Sequence, residues 1–231
     1  MKRHLVVAGL TGAALTLGGV IFVTASVRAA AGRLEHPVSA GAPAPATADH
    51  AEAPYCTPVF KQVLQRVLNA CGLVGTQSRR GCQPSDVKSL ASISGDDFNA
   101  LFKPLADRGA IVLFDEGSEK LDPGALKLIE ERWLDRRGAR YFFIVARGSH
   151  TGTVQTNRAL SHKRANSVLF HLSEVTHDPT LEKQVGLLWL GKEFAQLPTD
   201  YCRWANSRAA EPCNQEAVNR SAFISWVDCR L

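Results

Sequence analysis

The run Tyr141-Phe-Phe-Ile-Val-Ala146 most constrains this chain, because a long amphipathic pattern over Thr153–Val175 follows it after only six residues. Six unbroken apolar residues, aromatic or β-branched for the most part, read as a strand buried on both faces. Leu160, Ala165, Val168, Leu169 and Leu172 recur at helical spacing, so the next segment is a helix with that stripe turned inward. The pattern extends in both directions. Ala110–Phe114 and Val185–Leu190 read as buried strands, and Ala222–Val227 as a closing strand. Asp122 and Pro123 start a helix with a stripe of Leu126, Ile129, Trp133 and Leu134, ending at Gly138. Residues 192–218 hold Cys202 and Cys213 and few apolar residues, which predicts a stapled loop with at most a short helix. Strand, helix, strand, helix, strand, loop, strand predicts an α/β (α+β) two-layer sandwich with helices on one sheet face.

Upstream the character changes. Lys2 and Arg3 precede an uncharged run, Leu5–Val27, of 23 residues. As a helix it would cover roughly 34 Å, enough for a bilayer core. The leading positive charges place the N-terminus in the cytoplasm and the bulk of the chain across the membrane. Two readings stay open: an uncleaved single-pass transmembrane anchor in the inner membrane, or a signal peptide cut near Ala29-Ala30-Ala31. Cutting would leave a soluble periplasmic or outer-membrane-associated protein. Either way the rest of the chain is exported, and no acid in the run could serve an intramembrane proton relay.

Residues 31–54 are rich in Ala and Pro and read as a linker. An amphipathic helix is predicted over Pro58–Ala70, with Val59, Phe60, Val63, Leu64, Val67 and Leu68 on one face. Gly72–Pro84 is loop-like, and a shorter helical patch covers Asp96–Ala106. The expected organisation is therefore 1–30 anchor or signal, 31–54 linker, 55–106 helical cysteine-containing segment, and 107–231 the α/β domain. Export makes disulfides the default for six cysteines. A helix between Cys56 and Cys71 would hold them about 20 Å apart, against the roughly 7 Å a bridge permits. Cys202–Cys213 is the best local pairing, and the partners of Cys56, Cys71, Cys82 and Cys229 stay open.

The net charge of +5 does not argue for nucleic acid, since residues 1–30 carry +3 and the remainder has 24 basic against 22 acidic residues. One window does stand out. Residues 136–173 contain Arg136, Arg137, Arg140, Arg147, Arg158, Lys163 and Arg164 and no acid. That run predicts an electropositive face, unless acids elsewhere in the fold neutralise it. Ser149 and His150 are adjacent in sequence, so their side chains point apart, and no acid orients the histidine; a nucleophile is not expected. His162, His171 and His177 lack metal-ligand spacing, and no cofactor is expected.

Within the α/β region particular residues carry a resemblance. Phe114-Asp115-Glu116-Gly117-Ser118-Glu119-Lys120-Leu121 fits F-D-x-x-S-x-x-L, and Asn157–Val168 fits N-x-x-L-S-x-x-R-A-x-x-V. Gly191-Lys192-Glu193 and Asn219-Arg220 fit weaker signatures near the third and last strands. Residues 110–228 thus resemble the OmpA-like domain, the peptidoglycan-associated C-terminal domain of outer-membrane protein A, which has a mixed sheet. The resemblance implies a non-enzymatic domain that binds the diaminopimelate of peptidoglycan stem peptides. In the family an Asp after the second strand holds the amine and an Arg on the next helix holds the carboxylate. The Arg position is matched by Arg164. The Asp position, along the ungapped match, holds Ser149. The candidate ligand-binding set is therefore Arg164, Asn157, Ser149, Ser161 and Leu160, with Asn157 also suited to organising the loop and Ser161 to back-bonding onto its own helix. Arg164 meets either an anionic group of the ligand or an internal acid.

A zwitterionic head needs both signs, and a serine offers only a neutral hydrogen bond. Losing one charge-assisted bond costs on the order of 1.5–3 kcal/mol, ten-fold to more than a hundred-fold in affinity. Two functions follow as expectations. One is a tether that joins membrane to peptidoglycan. The other is a protein-interaction subunit of an envelope machine, of secretion or conjugation type, that has lost diaminopimelate binding. The expected partners are peptidoglycan, the inner membrane and other envelope proteins, with no nucleic acid.

Overall fold

No strand of the central sheet has an open face, which is why none shows the alternation of a half-exposed strand. The computed structural model describes residues 52–70, 82, 95–136, 139, 141–208 and 212–231. The expected anchor of residues 1–30, nearly all of the linker, Cys71, Arg137, Gly138 and Arg140 lie outside the described residues. Among the described residues no helix is long and apolar enough to cross a membrane.

The elements in order are α1 (Pro58–Ala70), α2 (Gly95–Ala100), a 3-10 turn at Lys103–Leu105, β1 (Gly109–Leu113), α3 (Pro123–Leu134), β2 (Tyr141–Ala146), α4 (Val154–Thr176), α5 (Leu181–Gln184), β3 (Val185–Trp189), a second 3-10 turn at Thr199–Arg203, α6 (Gln215–Asn219) and β4 (Ser221–Val227). The sheet order is β1-β4-β2-β3. β4 lies antiparallel between β1 and β2, with Ile111 opposite Phe223 and Ile144 opposite Ile224. β3 runs parallel to β2 on the far side, Ile144 opposite Leu187. A parallel pair needs a crossover, and α4 supplies it. The sheet is therefore mixed.

Strand alternation deals the side chains to two cores. Ala110, Val112, Phe142, Ile144, Ala146, Ala222 and Ile224 meet Ile129 and Trp133 of α3 and Ala165, Val168 and Leu172 of α4. Ile111, Leu113, Phe143, Val145, Phe223 and Val227 meet Phe60, Leu64 and Leu68 of α1 together with Phe98, Leu105 and Tyr201. The expected pair of layers thus becomes three, because the N-terminal helical segment covers the second face. Each such aliphatic side chain contributes about 1.5–3 kcal/mol when fully buried, so this second face is a large share of the stability.

Boundaries follow local chemistry. Asp122 caps α3 by accepting from Ala125 N, and Thr153 caps α4 by accepting from Thr156 N. α4 stops at His177, which takes the left-handed conformation with φ 50°. The α3 stripe is corrected at one position. Ala125, Leu128, Ile129 and Trp133 are buried, whereas Leu134 is 77% exposed, a further 100° round the helix from Trp133. Cys56 pairs with Cys229, joining the approach to α1 to the end of the chain, and Cys202 pairs with Cys213.

Candidate functional site

Because β4 is antiparallel to both β1 and β2, the ends of β1, β2 and β3 and the start of β4 share one edge of the sheet. The loops after β1 and β2, the turn after β3 and the α6–β4 junction therefore converge. Main-chain bonds tie them together: Phe114 N donates to Arg220 O, Arg147 N to Ser221 O, and Gly148 N to Gly191 O.

Arg164 sits beneath this convergence and is 0% exposed. Its Nε donates to Ser118 O at 2.9 Å, Nη1 to Arg147 O at 3.0 Å and Nη2 to Asp115 O at 3.1 Å. The guanidinium also lies 5.2 Å from the Phe114 ring centre. Burial pushes its pKa down to about 10; the nearby Arg220 charge acts in the same direction and Glu119 against it. The partners are main-chain carbonyls, neither a surface anion nor an internal carboxylate. The physical reason is the helix stripe: Asn157, Ser161, Arg164, Ala165, Val168 and Leu172 are the buried residues of α4.

Asn157 organises the loop after β2. Its Nδ2 donates to Thr151 O at 2.6 Å and Thr153 O at 3.0 Å. Two glycines make room for it. A Cβ at position 148 would stand 2.3 Å from Asn157 Oδ1, and Gly152 has φ +77°. Ser161 Oγ donates to Arg158 O on its own helix and accepts from Gly191 N. Ser149 is 5% exposed, with its Oγ 3.0 Å from Thr151 Oγ1. Leu160 is half-buried on α4. Asn157 of α4 thus holds the loop that carries Ser149, Ser161 braces the neighbouring turn, and Arg164 grips the main chain two residues before Ser149.

Among the described residues, the acid-free window does not form the expected electropositive face. Arg136 lies over the Trp133 ring, 3.8 Å from its centre. Arg158 pairs with Glu193 at 2.5 and 3.0 Å, and Lys163 with Glu119 at 3.7 Å. Arg147 is buried like Arg164. Sequence distance hid these partners. The histidines are also separate, His162 against Trp189 at 4.3 Å between ring centres and His171 on Glu130 at 3.0 Å. Among the described residues a metal has little to hold it: Cys56, Asp228 and Cys229 cluster, but the two sulfurs are joined to each other.

Two further residues enter the site, Glu216 unannounced by the sequence and Arg220 marked there only by the weak Asn219-Arg220 signature. Glu216 of α6 accepts from His150 N through Oε2 at 3.2 Å and lies 3.3 Å from His150 Nδ1 through Oε1. Arg220, one turn later, is partly exposed, and its Nε is buried with no hydrogen-bond partner. Lys192 Nζ closes the rim by donating to His150 O and Gly152 O.

Neither a protein-family model nor a curated protein matches the sequence. Solved structures do. The peptidoglycan-associated lipoprotein from Burkholderia pseudomallei is 24% identical, covering 51% of this chain and 89% of that one with a TM-score of 0.37. The OmpA-like domain of FopA1 from Francisella tularensis is 12% identical over 53% of this chain and 75% of its own, TM-score 0.38. The cell wall anchor of the T6SS from Pseudomonas aeruginosa is 20% identical over 58% and 92%, TM-score 0.32. The solved structures to which this chain is similar thus include OmpA-like and peptidoglycan-associated proteins.

Proposed function

We propose that this is a cell-envelope protein whose exported domain binds peptidoglycan non-covalently and tethers the membrane to the wall. The observation that carries the reading is the folded Asn157–Val168 pattern. Asn157 shapes the loop after β2 and Arg164 clasps that loop to the one after β1, at the edge where the resembled family holds a stem peptide. The N-terminal apolar run would anchor the chain in the inner membrane, with residues 31–54 as a spacer. The role requires binding and no bond chemistry. A weak single site would suffice, since many copies along one wall gain by multivalency.

The burial of Arg164 and the uncharged Ser149 favour a second reading, a protein-interaction subunit of an envelope machine without diaminopimelate binding. Co-sedimentation of the full-length chain, in detergent, with purified peptidoglycan sacculi separates the two. The tether reading expects the chain in the pellet. A chain left in the supernatant at every concentration overturns it in favour of the second.

A further inference from the structure

We propose that the Cys56–Cys229 disulfide carries tension from the membrane-side linker into the central strand, so that a pull between membrane and wall shears β4 against β1 and β2 instead of stripping α1; this rests on the tether reading above. The bond joins the entrance of the domain to the strand at its centre. Cys56 stands where residues 31–54 reach the domain, just before α1, and Cys229 stands just beyond β4. Side chains double the link. Tyr55 donates its hydroxyl to Asp228 and accepts from Asp228 N at 3.2 Å, and Glu52 accepts from Arg230 N at 2.6 Å. Arg108, at the start of β1, donates to Asp228 Oδ1 at 3.0 Å and lies 4.8 and 4.3 Å from the ring centres of Tyr55 and Trp226. The entry of the chain, the start of β1 and the end of β4 are thus gathered at one pole.

Sheet geometry decides what force arriving there must break. β4 begins at the edge that carries the candidate site and ends at the opposite edge, because Leu113 lies opposite Ser221 and Tyr141 opposite Val227. Its neighbours β1 and β2 both end at the site edge. A pull on Cys229 against the loops after β1 and β2 therefore draws β4 along its own axis, between two antiparallel partners. Antiparallel hydrogen bonds run perpendicular to the strands, so the pairs from Tyr141 opposite Val227 to Ala146 opposite Ala222 resist together. α1 offers no such resistance. Its Phe60, Leu64 and Leu68 hold the second sheet face by apolar contact, and among the described residues no main-chain hydrogen bond joins it to a strand. Without the disulfide, a pull on its first turn would lift those side chains one turn after another and open that core. Rupture under force follows the unfolding barrier along the pulled path, which separates this role from the unfolded-state effect of any long cross-link.

The test is single-molecule pulling of the full-length chain in detergent. One handle is a genetically encoded azide at Thr151, exposed in the loop after β2; the other is a tag on either the N-terminus or the C-terminus. In wild type both attachments should rupture at the same force, since both reach β4 through Cys229. In the double variant Cys56→Ser, Cys229→Ser the C-terminal attachment should keep the wild-type force. The N-terminal attachment should lose its single high-force event to an earlier, weaker one in which α1 leaves. A variant that matches wild type from the N-terminus, or that weakens equally from both ends, overturns the proposal, because the bond then has no direction. Should the variant fail to fold, wild type decides alone, and a lower force from the N-terminus than from the C-terminus overturns the path. Pelleting with sacculi is scored on the same protein. A pelleting chain that fails the force test loses the path and keeps wall binding; a chain that does not pellet loses the wall end of the tether, and the role of the path falls with it.

Discussion

Arg147 Nη2 donates to Asn99 Oδ1 at 2.9 Å, joining the end of β2 to a helix 48 residues earlier in the chain. Arg147 is 1% exposed and pairs with no carboxylate among the described residues; its other bonds go to Ala195 O at 2.6 Å and Val145 O at 3.2 Å. Asn99 is the hub, since its Nδ2 also donates to Gln196 O and its carbonyl accepts from Tyr201. The segment of α2 is thereby bonded to the 195–197 turn that follows β3, where Ala195 is held at φ 53°.

Asn99→Ala strips a buried guanidinium of an acceptor and Gln196 O of a donor. Such losses run to about 2–4 kcal/mol. Urea unfolding should show that drop with an unchanged slope. A midpoint within experimental scatter of wild type would mean the Arg147–Asn99 contact carries no weight in the fold.

Arg164→Ala leaves three carbonyls without their donor and a void beneath the Phe114 ring. Destabilisation of about 3–5 kcal/mol is expected. Arg164→Lys should recover only part of it, because an ammonium cannot direct donors along the guanidinium's three planar directions. Equal stability of the alanine and wild-type chains would place the guanidinium elsewhere. The consequence for binding assays is direct: loss of sacculus binding in Arg164→Ala reports the loop clasp and does not identify a ligand contact.

The contrast between Arg164 and Glu216 shows what the sequence could tell. Position 164 stands seven residues after Asn157 and four before Val168, on the inward stripe of α4, so its burial was legible in the same helical spacing that predicted the helix. The strands, α1 and the Cys202–Cys213 pair were legible for a similar reason, since each depends on neighbours within a few residues. Glu216 meets His150 across 66 residues, Glu193 meets Arg158 across 35, and Cys56 meets Cys229 across 173. The first and last of those contacts depend on β4 inserting between β1 and β2, and the second on β3 pairing beside β2, a strand order that periodicity does not encode. The second sheet face was hidden likewise: an unbroken apolar strand says that both faces are covered but not by what.

The Cys56–Cys229 and Cys202–Cys213 disulfides close loops of very different length. By chain entropy, a loop the size of Cys56–Cys229 contributes about 5 kcal/mol and one the size of Cys202–Cys213 about 3. Replacing both cysteines of each pair by serine should rank the variants in that order in urea. The reverse order would show that the Cys56–Cys229 link joins parts already close in the unfolded chain.

Gly148→Ala tests the loop that Asn157 builds. The added carbon would lie 2.3 Å from Asn157 Oδ1 and 2.9 Å from its Cβ and Cγ, too close for any side chain. Loss of about 1–3 kcal/mol is expected from the forced shift. Gly117→Ala has no atom within 4 Å of its new carbon and φ +66°, so it carries only the backbone penalty of about 1–2 kcal/mol. In Asn157→Ala background the Gly148→Ala loss should shrink without vanishing, because the amide at 2.3 Å is gone while the Cβ at 2.9 Å stays; an undiminished loss would mean that the amide is not what collides.

Tyr201 gives the fold a definite alkaline limit. Its hydroxyl donates to Asn99 O at 2.7 Å, and burial pushes its pKa from 10 to about 12, with Arg147 opposing and Asp200 adding to the rise. Between those two values the unfolded chain has released a proton that the folded chain keeps. The folded state then binds more protons, so stability falls as pH rises. The Tyr201 contribution is complete below pH 10 and is lost through about pH 12. Tyr201→Phe cannot ionise there, and Tyr55, also raised to about 12, is present in both chains and cancels in the difference. The stability margin of wild type over Tyr201→Phe, measured by urea unfolding at intervals from pH 8 to 12, should hold level to pH 10 and then narrow. A margin that stays parallel to pH 12 would mean that the phenol ionises alike in the folded and unfolded chains, and that the Tyr201–Asn99 bond does not survive in solution.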